Sequence, residues 1–215
     1  MNELLQNVRG NQSSGISPET HVSHVAHKTP YAPLRTSGLG ALVGYAALSL
    51  TLALFIRFFI AAPYVVSGSS MEPNFDNWDY LIADRVTYRF ADAERGDIVV
   101  FHLPQQYSRS LIKRVIGLPH ETISFDRKGV FIKNAAHPDG FYLSESYLAP
   151  ENLGGPSGTS VTLGPDEYVV LGDNRRVSSD SRTWGILPKS NIVGRVILRL
   201  FPISKADILP EEARY

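Results

Sequence analysis

The sequence predicts a mainly β, antiparallel and partly closed domain carried behind a single apolar α-helix. Three observations predict it. The run LGALVGYAALSLTLALFI, from Leu39 to Ile56, contains no charge. Beyond it, short runs rich in Val, Ile, Phe and Tyr alternate with Gly, Pro, Asp and Asn, which is the pattern of strands and turns. No long amphipathic helix and no strand–helix–strand alternation follows, so antiparallel neighbours are expected rather than a doubly wound sheet.

Residues 1–37 are polar, without sustained periodicity, and predict a disordered leader. Within it His21, His24 and His27 stand three apart; in a polar tract with no other ligand they read as incidental rather than as a metal clip. The eighteen residues of the apolar run rise about 27 Å as a helix, against roughly 30 Å of hydrocarbon. Arg57 stands where its stem reaches the headgroups while Phe58, Phe59 and Ile60 finish the span, and Pro63 discourages further helix. A cleavable signal sequence has a shorter apolar stretch, and a core helix keeps a polar stripe. A single transmembrane helix over 38–62 is therefore expected. Lys28 and Arg35 precede it, so the positive-inside rule keeps the N-terminus cytoplasmic and places residues 63–215 outside a cell (plasma or inner) membrane.

The later strands are read at DIVVF (97–101), LIKRVIGL (111–118), ETISF (121–125), GVFIKN (129–134), EYVVLGD (167–173) and NIVGRVILRLF (191–201). Asp126 to Gly129 reads as a hairpin turn, and APENLGGPSGT (149–159) as a flexible surface loop.

Composition removes several function classes. The 21 basic and 21 acidic residues balance, so nothing in the global charge attracts nucleic acid. Cysteine is absent, which excludes disulfides, a thiolate metal site and a cysteine nucleophile. Outside the leader, His102, His120 and His137 lie in contexts poor in Ser and Asp, and neither HExxH nor GxSxG occurs.

Three clusters remain: SGSSMEPNF (67–75), LIKRVIGLP (111–119) and GDNRRVSSDSRTWG (172–185). A lysine replaces histidine as a base only when burial disfavours its ammonium. On a strand, Lys113 shares a face with Leu111 and Val115, so it is either an edge lysine or a dehydrated one. Ser70, among Gly and Ser, is either a turn residue or a nucleophile.

Taken together the motifs are more specific. In order, SMEP (70–73), RGDIVVF (95–101), IKRVIGLP (112–119) and GDNRRVSSDSR (172–182) resemble the type I signal peptidases, membrane-bound Ser–Lys proteases. The resemblance implies a signal-peptidase-type β-domain with Ser70 as nucleophile, Lys113 as general base and Ser178 holding the lysine amine. It implies structural ion pairs between Arg114 and Asp173 and between Asp180 and Arg182. The backbone N–H of Ser70 serves the oxyanion. Gly68 stands where some members have a donating serine, which leaves backbone groups, Ser67 or Ser69 for the second donor. Tyr64, Val66, Phe75, Val100 and Ile112 would line pockets for small residues of Ala-x-Ala type; core packing is the alternative for Phe75 and Val100. The implied partners are signal-peptide-bearing preproteins and the lipid bilayer, without nucleic acid, metal or organic cofactor. No motif assigns an oligomeric state. Two other readings fit the same residues: a specialised Ser–Lys maturation protease of a secretion or conjugation system, and an inactive anchored β-domain that binds peptides.

Overall fold

The computed structural model describes residues 38–154 and 158–209. The polar leader with its three histidines, and residues 155–157 of the expected loop, lie outside the described residues.

Helix α1, Gly38–Phe55, is apolar along its length and buries no residue, so by length and composition it fits a single membrane span. One π-helical turn, Ile56–Ile60, follows, and the chain is already a strand at Ala61. The helical segment is thus slightly shorter than 38–62. Pro63 lies inside that strand, which is tolerated because the strand is at a sheet edge.

Among the described residues the strands are β1 (Ala61–Val65), β2 (Tyr80–Asp84), β3 (Ile98–Leu103), β4 (Gln106–Gly117), β5 (Thr122–Asp126) and β6 (Gly129–Lys133). They continue with β7 (Phe141–Tyr142), β8 (Thr159–Thr162), β9 (Glu167–Leu171), β10 (Leu187–Pro188), β11 (Ile192–Phe201) and β12 (Asp207–Ile208). A four-residue helix, α2 (Ser181–Trp184), precedes β10. The larger sheet runs β1-β2-β11-β3-β4-β9-β10, with β12 beside β11; the smaller runs β7-β6-β5-β8. Every pairing is antiparallel. The class agrees with expectation, but neither sheet closes: the larger one ends on β1 and β10, and the smaller on β7 and β8. Short end strands of two to five residues leave too little edge for closure.

The expected β5–β6 hairpin is present. Asp126 Oδ1 accepts from the N–H groups of Lys128 and Gly129 at 2.7 and 3.1 Å, and Gly129 takes the positive φ that the turn requires. The alternation read on β4 holds for its apolar residues. Leu111 and Val115 pack in the cluster containing Phe101 and Tyr168, while Ile112 packs against Val66, Met71 and Phe75. Along its other edge β4 pairs with β9 from Arg114 onward. Before Arg114, β4 therefore pairs only with β3 among the described residues, at Gln106 and at Ser110–Lys113. Three segments converge there: the turn between β1 and β2, the middle of β4, and the loop that follows β9.

Candidate active site

Ser70 sits in the turn between β1 and β2. That turn is closed at its base by Val66 N–H donating to Asp79 O and Trp78 N–H donating to Val66 O, both at 2.9 Å. Met71 and Phe75 anchor it in the core, and Phe75 N–H donates to Met71 O at 2.9 Å. Gly68 adopts φ +98°, which a residue with a Cβ reaches only under strain, and its N–H donates to Asn77 Oδ1 at 2.9 Å. The serine is thereby held on a short, well-anchored loop.

Lys113 reaches this loop from β4. Its Nζ lies 2.7 Å from Ser70 Oγ and donates to Ile112 O at 2.8 Å. The side chain is 2% exposed, so the edge-lysine alternative does not describe it. Burial brings its pKa down from 10.5 to about 8; Asp180 and Asp173 pull it back up, and Arg109 pushes it further down. A buried amine against a serine hydroxyl, titrating near neutrality, has the geometry and proton affinity of a general base.

Ser70 and Lys113 end a cleft of about 100 Å³ walled by Tyr64, Val66, Val100 and Ile112. Phe75 is not in that wall; it is 2% exposed and packs beneath it, because its position in the turn points into the core. Ser67 also lines the cleft, whereas Ser69 is exposed outside it. No described residue accepts from the Ser70 N–H, which leaves it available to a developing oxyanion.

The implied ion pairs are present and are not surface decoration. Arg114 meets Asp173 through two parallel bonds, Nε to Oδ1 at 2.9 Å and Nη2 to Oδ2 at 2.7 Å, with the carboxylate wholly buried. Arg182 meets Asp180 in the same fork at 2.8 Å for both bonds. Asp180 also caps α2 through Arg182 N–H and accepts from Gly172 N–H at 3.1 Å. Ser178 is different. Its Oγ is buried with no hydrogen-bond partner among the described residues, so the bond to Lys113 that the resemblance implies is not made here. The loop turns on Ser178 N–H donating to Asn174 O at 3.0 Å, which leaves the hydroxyl beside Gly172.

Known proteins resemble this chain over most of its length. A sequence profile described as signal peptidase, peptidase S26 matches residues 40–201. A signal peptidase I of Leptolyngbya laminosa is 36% identical over 213 residues, 95% of this chain and 98% of that protein. A probable signal peptidase I-2 of Synechocystis sp. is 36% identical over 172 residues, 77% of this chain and 74% of that one. The chain belongs to the signal peptidase, peptidase S26 family. It is a serine endopeptidase. A crystal structure of a signal peptidase I from Enterococcus faecalis aligns with 29% identity and a TM-score of 0.41, covering 49% of this chain and 97% of that one.

Sequence reasoning missed part of this peptidase's site. Arg175 is buried and forks onto Glu145 through two bonds, with Nε donating to Gly172 O at 3.0 Å. Tyr147 bridges the pairs: its ring lies 4.0 Å under the Arg114 guanidinium and its hydroxyl donates to Glu145 at 2.7 Å. Asn74, two residues after Glu72 in the serine turn, donates to Asp173 Oδ2 at 2.8 Å and to Tyr147 O at 3.0 Å. Glu145 and Tyr147 come from the loop after β7, whose sequence carries no motif; the adjacent arginines in GDNRR were the available signal.

Gly172 is the point where these segments touch. A Cβ there would collide with the Ser70 carbonyl oxygen and with Ser178 Oγ. The same carbonyl accepts from Asn174 N–H at 3.1 Å, so the loop after β9 grips the nucleophile's own peptide unit. Gly172→Ala must displace a backbone atom of Ser70, and a displacement near 1 Å at a reacting group costs about a hundredfold in rate. Peptidase kcat measured on a precursor is expected to fall by about that factor, and the overpacked junction is expected to lower Tm as well.

Proposed function

We propose that the chain is a membrane-anchored signal peptidase I that removes N-terminal signal peptides from exported preproteins after small residues. The observation that carries this is the buried Lys113 amine, 2.7 Å from Ser70 Oγ at the end of an apolar cleft. In the mechanism the neutral amine takes the Ser70 proton as Oγ attacks the scissile carbonyl carbon. Negative charge on the carbonyl oxygen is received by the Ser70 N–H, with the hydroxyl of Ser67, which lines the same cleft, as the second donor. Collapse of the tetrahedral adduct breaks the C–N bond, and the Lys113 ammonium gives its proton to the departing amine. Water then attacks the acyl-serine, losing its proton to Lys113; as the ester C–Oγ bond breaks, Lys113 returns that proton to Ser70 Oγ and both residues are restored. Ser178 holds the lysine amine in position once its hydroxyl turns toward it.

The signal peptide's C-terminal residues enter as an extended strand along β4, whose Ser110–Lys113 stretch borders the cleft. Tyr64, Val66, Val100 and Ile112 leave room for small side chains, which gives the Ala-x-Ala preference; Phe75 supports that wall from behind. Helix α1 holds the enzyme in the bilayer, with residues 1–37 cytoplasmic and residues 63–215 outside, and so raises the effective concentration of a membrane-borne substrate. The test is processing of a precursor carrying an Ala-x-Ala site. Cleavage is expected after the second alanine and is expected to be lost when that alanine becomes phenylalanine. Cutting at both sequences alike would remove the small-residue assignment.

A further inference from the structure

A second cleft, of about 560 Å³, opens beside the loop that carries Arg175, Arg176 and Ser178. Its lining includes Asn152, Leu153, Arg176, Ser178 and Thr183, and neither Ser70 nor Lys113 belongs to it. Ser178, which lines the second cleft, packs against Gly172 beside the Ser70 carbonyl. A peptide attacked at Ser70 has residues on both sides of its scissile bond. The apolar cleft accounts for one side only.

The chemistry of the second cleft suits peptide main chain. Asn152 is 4% exposed, yet its Oδ1 has no hydrogen-bond partner among the described residues. A buried polar group left unpaired is costly, and a ligand N–H that pairs with it recovers that cost. Charge is not the attraction. Arg175 is neutralised by Glu145 and Arg182 by Asp180, which leaves Arg176 and Glu151 of opposite sign on the lining. A neutral polar chain of alternating donors and acceptors, with Leu153 offering it an exposed apolar side chain, fits this better than an anion.

We infer that this cleft seats the segment C-terminal to the scissile bond, its main chain pairing with the Asn152 amide. The assignment rests on the proposed Ser70–Lys113 reaction and adds a leaving-side subsite to it. Binding energy gained there helps to hold the scissile carbonyl over Ser70 before the C–N bond breaks.

The test uses the full-length chain in detergent micelles and two substrates with identical residues before the cleavage site. One continues for eight residues beyond it; the other ends in an aminocoumarin amide. The readout is the ratio of kcat/KM for the long substrate to that for the short one. Wild type is expected to favour the long substrate about tenfold or more, the worth of one or two hydrogen bonds. Asn152→Ala is expected to bring the ratio down about tenfold. Thr183→Trp, an exposed position that narrows the cleft without touching the core, is expected to lower it too. A wild-type ratio near one, or a ratio unmoved by both variants, would overturn the subsite. Wild type cutting neither substrate would instead overturn the functional reading and the subsite with it.

Discussion

Lys113→Met is expected to abolish turnover while leaving the protein at least as stable as wild type. The first half follows from the proposed mechanism: without an amine 2.7 Å from Ser70 Oγ, the hydroxyl has no base. Loss on the order of 10⁴-fold or more in kcat is the usual cost of deleting a member of such a unit. The second half follows from burial. The lysine's pKa falls from 10.5 in the unfolded chain to about 8 in the folded one. Below pH 8 both states carry the proton, and the folded state bears the full cost of a buried ammonium, about 3 kcal/mol. Between pH 8 and 10.5 the folded state sheds the proton first, so stability rises with pH until that cost is gone. Methionine is apolar and near in length, and it removes the burden at pH 7. Chemical denaturation beside a precursor-cleavage assay separates the two effects. A variant that is inactive because it is unfolded would not support the role given to Lys113.

Asp173→Ala is expected to be the most destabilising change near the site. Its carboxylate is wholly buried and accepts from Arg114 twice and from Asn74 once. Removing it takes two charge-assisted bonds from a guanidinium in the interior, which keeps Gly96 O and the Tyr147 ring among its partners. Breaking a buried pair in this way costs about 3–5 kcal/mol, which in a chain of this size lowers Tm by about 10 °C. Activity is expected to fall as well, because Asp173 lies between Gly172 and Asn174, the residues that grip the Ser70 peptide unit. The double variant Arg114→Met, Asp173→Leu is expected to recover most of the lost stability, since an apolar pair of similar volume has no charge to strand. If the double variant melts as low as the single one, the buried charge is not the cause.

Much of the fold was legible because it was written in short-range pattern. DIVVF, ETISF and GVFIKN became β3, β5 and β6 almost residue for residue, since alternation and turn residues act locally. The short strands β7, β10 and β12 span two residues each and carry no period to read. β1 was hidden by Pro63, which reads as a helix stop in sequence and is an edge-strand residue in the sheet. Closure was misjudged because it depends on whether end strands meet, which no local pattern encodes.

The site divides the same way. Ser70 and Lys113 were visible as motif members, although spacing said nothing of their 2.7 Å approach across 43 residues. Arg114, Asp173, Asp180 and Arg182 were legible as ion pairs through the motifs they belong to, whereas the complete burial of both carboxylates was not. Glu145, Tyr147 and Asn152 carry no motif and gain their roles from long-range packing. Phe75 shows the opposite error: a residue near the nucleophile in sequence that packs behind the cleft wall.

The central claim is that Lys113 works as a neutral amine, and the pH dependence of kcat/KM on one precursor tests it most directly. Only the unprotonated fraction takes the Ser70 proton, so the rate is expected to rise tenfold per pH unit at low pH and to level off above an apparent pKa of about 8. A profile still climbing to the ordinary lysine value of about 10.4 would contradict the claim, as would one that stays flat across that range.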